Sequence, residues 1–140
     1  VRDLLLGFAE NFQQKENTAT NKAQDNFLLW THYFLAQLHD HDKNIDAALD
    51  SINRAIEVSD KTVELLLFKG KIYKHAGNLE EAVKWMLKAQ DIDKSDRFAN
   101  MKCSKYQLRA NQINESIENS TRTIPVNIRF FKLIINHFCC

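Results

Sequence analysis

Apolar positions fall into helical stripes along most of this chain. Leu4, Leu5, Phe8 and Phe12 recur at that spacing, so residues 1–13 read as the end of a helix. Residues 14–26 are polar and without period, and read as a linker. From Phe27 the three-to-four spacing returns and holds to about residue 118. It predicts helices over 26–41, 45–58, 62–76, 79–92, 96–110 and 113–120. Gly77 fits the position just past a helix end, where a positive φ is easiest for glycine. Ser95 or Asp96 can cap the fifth helix. β-branched runs of period two are missing over most of the chain, so the fold class is all-α.

The helices repeat. Ala36, Ala48 and Ala55 return as Gly70, Ala82 and Ala89, each 34 residues on. A third copy starts near Arg97, with Ser104 and Ser116 at two of the small positions. This is the period of tetratricopeptide repeats, in which a small residue lets the partner helix approach closely. The chain therefore reads as a helix-hairpin solenoid of about two and a half repeats over residues 27–118. Trp30, Phe34, Leu38, Tyr73, Leu79, Trp85 and Met86 are expected to fill its core. A solenoid usually needs three or more repeats for a continuous core, so the chain reads as a piece of something longer. Its start at Val1, with no cationic leader before an uncharged stretch, gives no signal peptide.

Composition changes this picture little. Three glycines, one proline and many charged residues suit a helical protein, and a formal net charge of +1 gives no whole-chain field for DNA. Cys103 stands alone and Cys139 and Cys140 are adjacent, which is no disulfide framework and points to a reducing, cytoplasmic setting. The glycosylation sequons at Asn114 and Asn119 then read as chance matches. Residues 119–140 form a divergent apolar and basic tail, with no acidic residue after Glu118. Its uncharged runs are too short to span a membrane.

Most candidate chemistry fails on spacing. His39, Asp40, His41 and Asp42 read as a solvated helix end, since residues two apart on a helix do not share a face. The stretch 91–96 resembles the start of a calcium loop, but Asp96 stands where glycine is needed and Lys102 where glutamate is needed. No metal site, phosphate loop or nucleophile motif is present, and nothing argues for catalysis. One constellation survives. The concave positions of the first helix in each repeat are Gln37, Asp40 and His41, then Lys71, Lys74 and His75, then Lys105, Leu108 and Arg109. Lys71, Lys74 and His75 share one helix face, and the next repeat brings Lys102, Lys105 and Tyr106 alongside. The cluster reads either as a solvated charged face, with both Lys71 and Lys74 exposed, or as a pocket for an anion.

The segments 28–40, 45–57, 63–93 and 96–111 carry a more specific pattern, most of all KIYKHAGN at 71–78 and the spaced DRF, N, KC and KY of 96–106. They resemble the auxiliary subunit of the N-terminal acetyltransferase A complex, over about residues 27–118. The resemblance implies a non-catalytic helical scaffold wrapped around a GNAT-fold catalytic subunit and anchored to ribosomes. That subunit acetylates nascent N-termini such as Ser, Ala, Thr or Gly. It also implies inositol hexakisphosphate as a structural ligand, with Lys71, Lys74, His75 and Lys102 as its basic residues and Lys105 and Tyr106 close by. The tail does not resemble the family's further repeats. The other reading is a generic peptide-binding repeat adaptor. Its carboxylate-clamp positions would be Tyr33, Gln37, Phe68, Phe98 and Lys102, of which only the last has suitable chemistry.

Overall fold

A computed structural model describes residues 22–123, together with residues 3, 4 and 7. The tail beyond Thr123 and most of the 1–13 and 14–26 segments lie outside the described residues. Six helices follow one another: α1 (Lys22–His41), α2 (Ile45–Val58), α3 (Val63–His75), α4 (Leu79–Ile92), α5 (Arg97–Arg109) and α6 (Ile113–Thr123). There is no strand among the described residues.

The helices pair as three antiparallel hairpins, α1 with α2, α3 with α4 and α5 with α6, stacked in order. α1 starts at Lys22 and so takes in residues assigned above to the linker. Lys22, Ala23 and Gln24 are good helix formers, and Asp25 in the first turn complements the helix dipole. An apolar stripe cannot reveal a turn built on propensity alone. α6 runs to Thr123, past the expected end at 120, so the third hairpin is more complete than the pattern indicates.

The tight turn inside each hairpin is one device used three times. Lys43, Gly77 and Asn111 all have positive φ and stand 34 residues apart. After each, a backbone N–H reaches back over the helix end. Asn44 donates to the His39 carbonyl at 2.9 Å, Asn78 to Tyr73 at 3.0 Å and Gln112 to Gln107 at 2.8 Å. This is the hydrogen bond that closes a helix on a left-handed residue. The side chains of Asn44 and Asn78 then cap the following helix, accepting from the N–H of Ala47 and Glu81. Asp96 caps α5 by accepting from the N–H of Phe98. Asp93 accepts from the N–H and the hydroxyl of Ser95, so the 91–96 stretch is a capping turn.

The small positions sit where the helices touch. Ala36, Ala48, Ala55, Ala82 and Ala89 are fully buried, and Ser104 and Ser116 nearly so. A Cβ built on Gly70 would lie 2.8 Å from Met86 Cε and 3.1 Å from the Ala82 carbonyl oxygen. One core gathers Leu29, Ile52, Leu65 and Ile72, and a second gathers Val83, Met86, Cys103 and Tyr106. The core assignment needs two corrections. Trp30 is 42% and Phe34 55% exposed. They lie on the outer stripe of α1, which has no described neighbour to cover it.

The third hairpin is joined by an amide network instead of a purely apolar seam. The Gln90 amide donates to Asn100 at 2.8 Å, and the Asn119 amide donates to Gln107 at 2.7 Å. Gln90 also reaches Asn119 at 3.3 Å, while the Ser116 hydroxyl donates to the Ser104 carbonyl. All these side chains are buried, and their pairing offsets the cost of taking amides out of water. The sequon asparagine Asn119 is therefore a core residue. Cys103 is buried among these groups, and burial pushes its thiol up to about 11, which makes it a packed and unreactive thiol.

Candidate functional site

The stretch around Gly70 carries several cations, and the fold separates them. Lys69 is buried on one side, where its ammonium donates to Asn53 at 2.6 Å and lies 3.6 Å from the centre of the Trp85 ring. Lys84 pairs with Glu81 along α4. Neither belongs to the site. Lys71, Lys74 and His75 instead occupy the last two turns of α3, on the face between α1 and α5.

At the middle of that face is Asp40, near the C-terminal end of α1. Its side chain is 5% exposed. His75 Nδ1 lies 2.7 Å from one of its oxygens, and Lys71 Nζ lies 3.9 Å from the other. The pair ties the first repeat to the second. The reading of residues 39–42 as a solvated helix end thus holds for His41, paired with Asp42 and well exposed, and fails for Asp40. A carboxylate among cations is drawn inward because its desolvation is offset by paired charges.

Lys74 is half-buried, not exposed as expected above. Burial lowers its pKa, the positive charges of Arg109, Lys71 and Lys105 lower it further, and Asp40 opposes them. Burial raises that of Tyr106, with Arg109 acting against the shift and Asp40 with it. Lys71 and His75 on α3 thus meet Asp40 on α1, Lys74 and Tyr106 feel its charge, and Lys105 and Arg109 on α5 act on Lys74. Lys102 sits on the adjoining side. Lys71, Lys102 and Tyr106 line one cleft of about 200 Å³ with Tyr33, Phe68 and Phe98. In it Lys71 lies 5.1 Å over the Phe68 ring and Lys102 5.1 Å over the Phe98 ring.

Of the six residues singled out from the sequence, Lys71, Lys102 and Tyr106 line the cleft, Lys71 and His75 meet Asp40, and Lys74 feels the charges of Lys71 and Lys105. Arg109 is a further cation of the cluster, legible from its place in the repeat. Asp40 was legible as a concave position by the same rule, but its burial against His75 was not. The arrangement has more cations than carboxylates and hydrogen-bond donors on three helices. Glu64 also lines the cleft with Lys71 and Lys102. No group of three or more metal-ligating side chains is present among the described residues.

A sequence model described as N-terminal acetyltransferase A, auxiliary subunit, matches residues 4–122. The chain belongs to that family. Human N-alpha-acetyltransferase 16, NatA auxiliary subunit, is 55% identical over 91 residues, which are 65% of this chain and 10% of that protein. The NAA15 auxiliary subunit of Arabidopsis thaliana is 40% identical over 86 residues, 61% of this chain and 10% of that protein. The chain thus spans about a tenth of the length of the curated relatives it matches. A solved structure of Naa15/Naa10 bound to HypK-THB superposes with a TM-score of 0.72 at 28% identity, covering 86% of this chain and 18% of that one. The second TPR of Spaghetti (RPAP3), solved with an HSP90 peptide, superposes at 0.59 with 16% identity, over 81% of this chain and 94% of that one. This likeness shows the fold, an all-α helical-repeat architecture of the TPR kind.

Proposed function

We propose that this chain is a non-catalytic scaffold segment of an N-terminal acetyltransferase A complex. In this reading the α1–α3–α5 groove faces a GNAT-fold catalytic subunit, which the scaffold holds for co-translational acetylation of nascent N-termini at the cytoplasmic ribosome. The observation that carries it is the superposition of these three hairpins on the Naa15 chain of a complex with Naa10. The relatives are named auxiliary subunits, which supports assigning the acetyl transfer to a partner and not to this chain. The basic groove extends the reading. Lys71, Lys74, His75, Lys102 and Lys105 fit inositol hexakisphosphate as a structural ligand, with Tyr106 beside them and Arg109 completing the cluster. Such a ligand supplies the negative charge that lets these cations pack together. No helix among the described residues is long and apolar enough to cross a membrane.

The alternative, a peptide adaptor with a carboxylate clamp, is less well supported. Three of its positions, Tyr33, Phe68 and Phe98, contribute aromatic rings to the cleft where a clamp needs amides and cations.

The test is mass spectrometry of what co-purifies with the tagged native-length protein, followed by acetyl transfer to a Ser-starting peptide. A GNAT-fold partner with activity is expected. A clean preparation with neither partner nor transfer would contradict the scaffold assignment.

A further inference from the structure

Asp40 has no place in an anion site that works by simple attraction. It is a buried negative charge beside two of the cations that an anion needs, Lys71 and His75, while Glu64 lines the adjoining cleft. His75 Nδ1 is 2.7 Å and Lys71 Nζ 3.9 Å from its two oxygens, and its charge is felt by Lys74 on α3 and Tyr106 on α5. A purely structural tether between α1 and α3 would need only one partner at the edge of the groove. We propose that Asp40 is the resident counter-ion of the groove. It engages Lys71 and His75 in the free chain, and a phosphate-rich anion has to take them over from it.

Two consequences follow from charge alone. Without a ligand, Asp40 reduces the repulsion among Lys71, Lys74, Lys105 and Arg109 and keeps their helices together. With a ligand, Asp40 is a like charge beside the phosphates and weakens their binding. Asp40 thus sets how much anion is needed to fill the groove, and its effects on stability and on affinity have opposite signs. A residue that only holds the fold together moves both in the same direction.

This inference rests on the anion-binding reading of the groove. The experiment is calorimetric titration of inositol hexakisphosphate into the full chain and its Asp40→Asn and Asp40→Glu variants, with thermal unfolding of each without ligand. Asp40→Asn is expected to bind about tenfold more tightly, the scale of one like charge removed beside a multiply charged anion. Its ligand-free melting temperature is expected to fall. Asp40→Glu keeps the charge and is expected near wild-type affinity, and Asp46→Asn, exposed on α2, within about twofold of it. A second measurement uses the unaltered chain, in which the His75 ring resonances shift on saturation with the ligand. Equal or weaker binding by folded Asp40→Asn, or a His75 ring unmoved by ligand, overturns the counter-ion role while leaving the anion site standing. Absence of binding by the wild type and the variant alike overturns the anion site and this inference with it.

Discussion

On the proposed reading of the groove, reversing charge at both Lys71 and Lys74 is expected to weaken binding of inositol hexakisphosphate by at least about a hundredfold, with the chain still helical. Each charged hydrogen bond to a phosphate contributes about 1.5–3 kcal/mol, and 1.4 kcal/mol is a factor of ten. Lys71→Glu and Lys74→Glu together remove two such donors and place two carboxylates beside Asp40. Lys71 is half exposed and Lys74 half-buried, and neither belongs to the two apolar cores. Both substitutions also take cations away from Asp40, so the ligand-free chain is expected to melt at a lower temperature, and affinity is compared on folded protein. Calorimetry on the variant, with circular dichroism as the control for folding, checks this. Unchanged affinity would mean that the anion lies elsewhere.

The second large effect is at Gly70. Gly70→Leu destabilises the chain by about 1–3 kcal/mol, the usual cost of overfilling a packed core. The first added carbon already lies 2.8 Å from Met86 Cε and 3.1 Å from the Ala82 carbonyl oxygen. The methionine end can move, but the backbone oxygen is fixed by α4. Gly70→Ala gains about 0.8–1.0 kcal/mol of helix propensity against the same contacts, so its net change is smaller. Thermal unfolding measures both, at roughly 4–8 °C per kcal/mol for a domain of this size. Shortening Met86 to Ala in the Gly70→Leu background recovers part of the loss if the clash is the cause. A Leu variant that melts with the wild type would show that α3 and α4 are not in close contact at this point.

Close packing explains why so much of the fold was legible. A helix pair that touches at Gly70 or Ala82 needs a small residue there in every repeat, and the positive φ past α3 was legible at Gly77, whereas Lys43 and Asn111 adopt it without a glycine to mark it. Such constraints appear in a sequence as a period. The basic face was legible for a similar reason, since Lys71, Lys74 and His75 share a helix face whatever surrounds them.

What surrounds them was not legible. Asp40 and His75 meet across two repeats through side-chain geometry, which no spacing within one helix encodes. Nothing in the sequence marks the amides of Gln90, Asn100, Gln107 and Asn119 for burial, yet they are buried because they satisfy one another. Trp30 and Phe34 read as core because an apolar stripe shows which face of a helix avoids water, and not whether this chain supplies the cover.

The central claim is that the face formed by α1, α3 and α5 is the one turned toward the catalytic subunit. Amine cross-linking of the purified native-length complex, read by mass spectrometry, tests it most directly. The account predicts links to the GNAT-fold subunit from Lys71 and Lys105, on the first helices of their repeats, and few from Lys84 and Lys88 on α4. Links confined to Lys84 and Lys88 would contradict it.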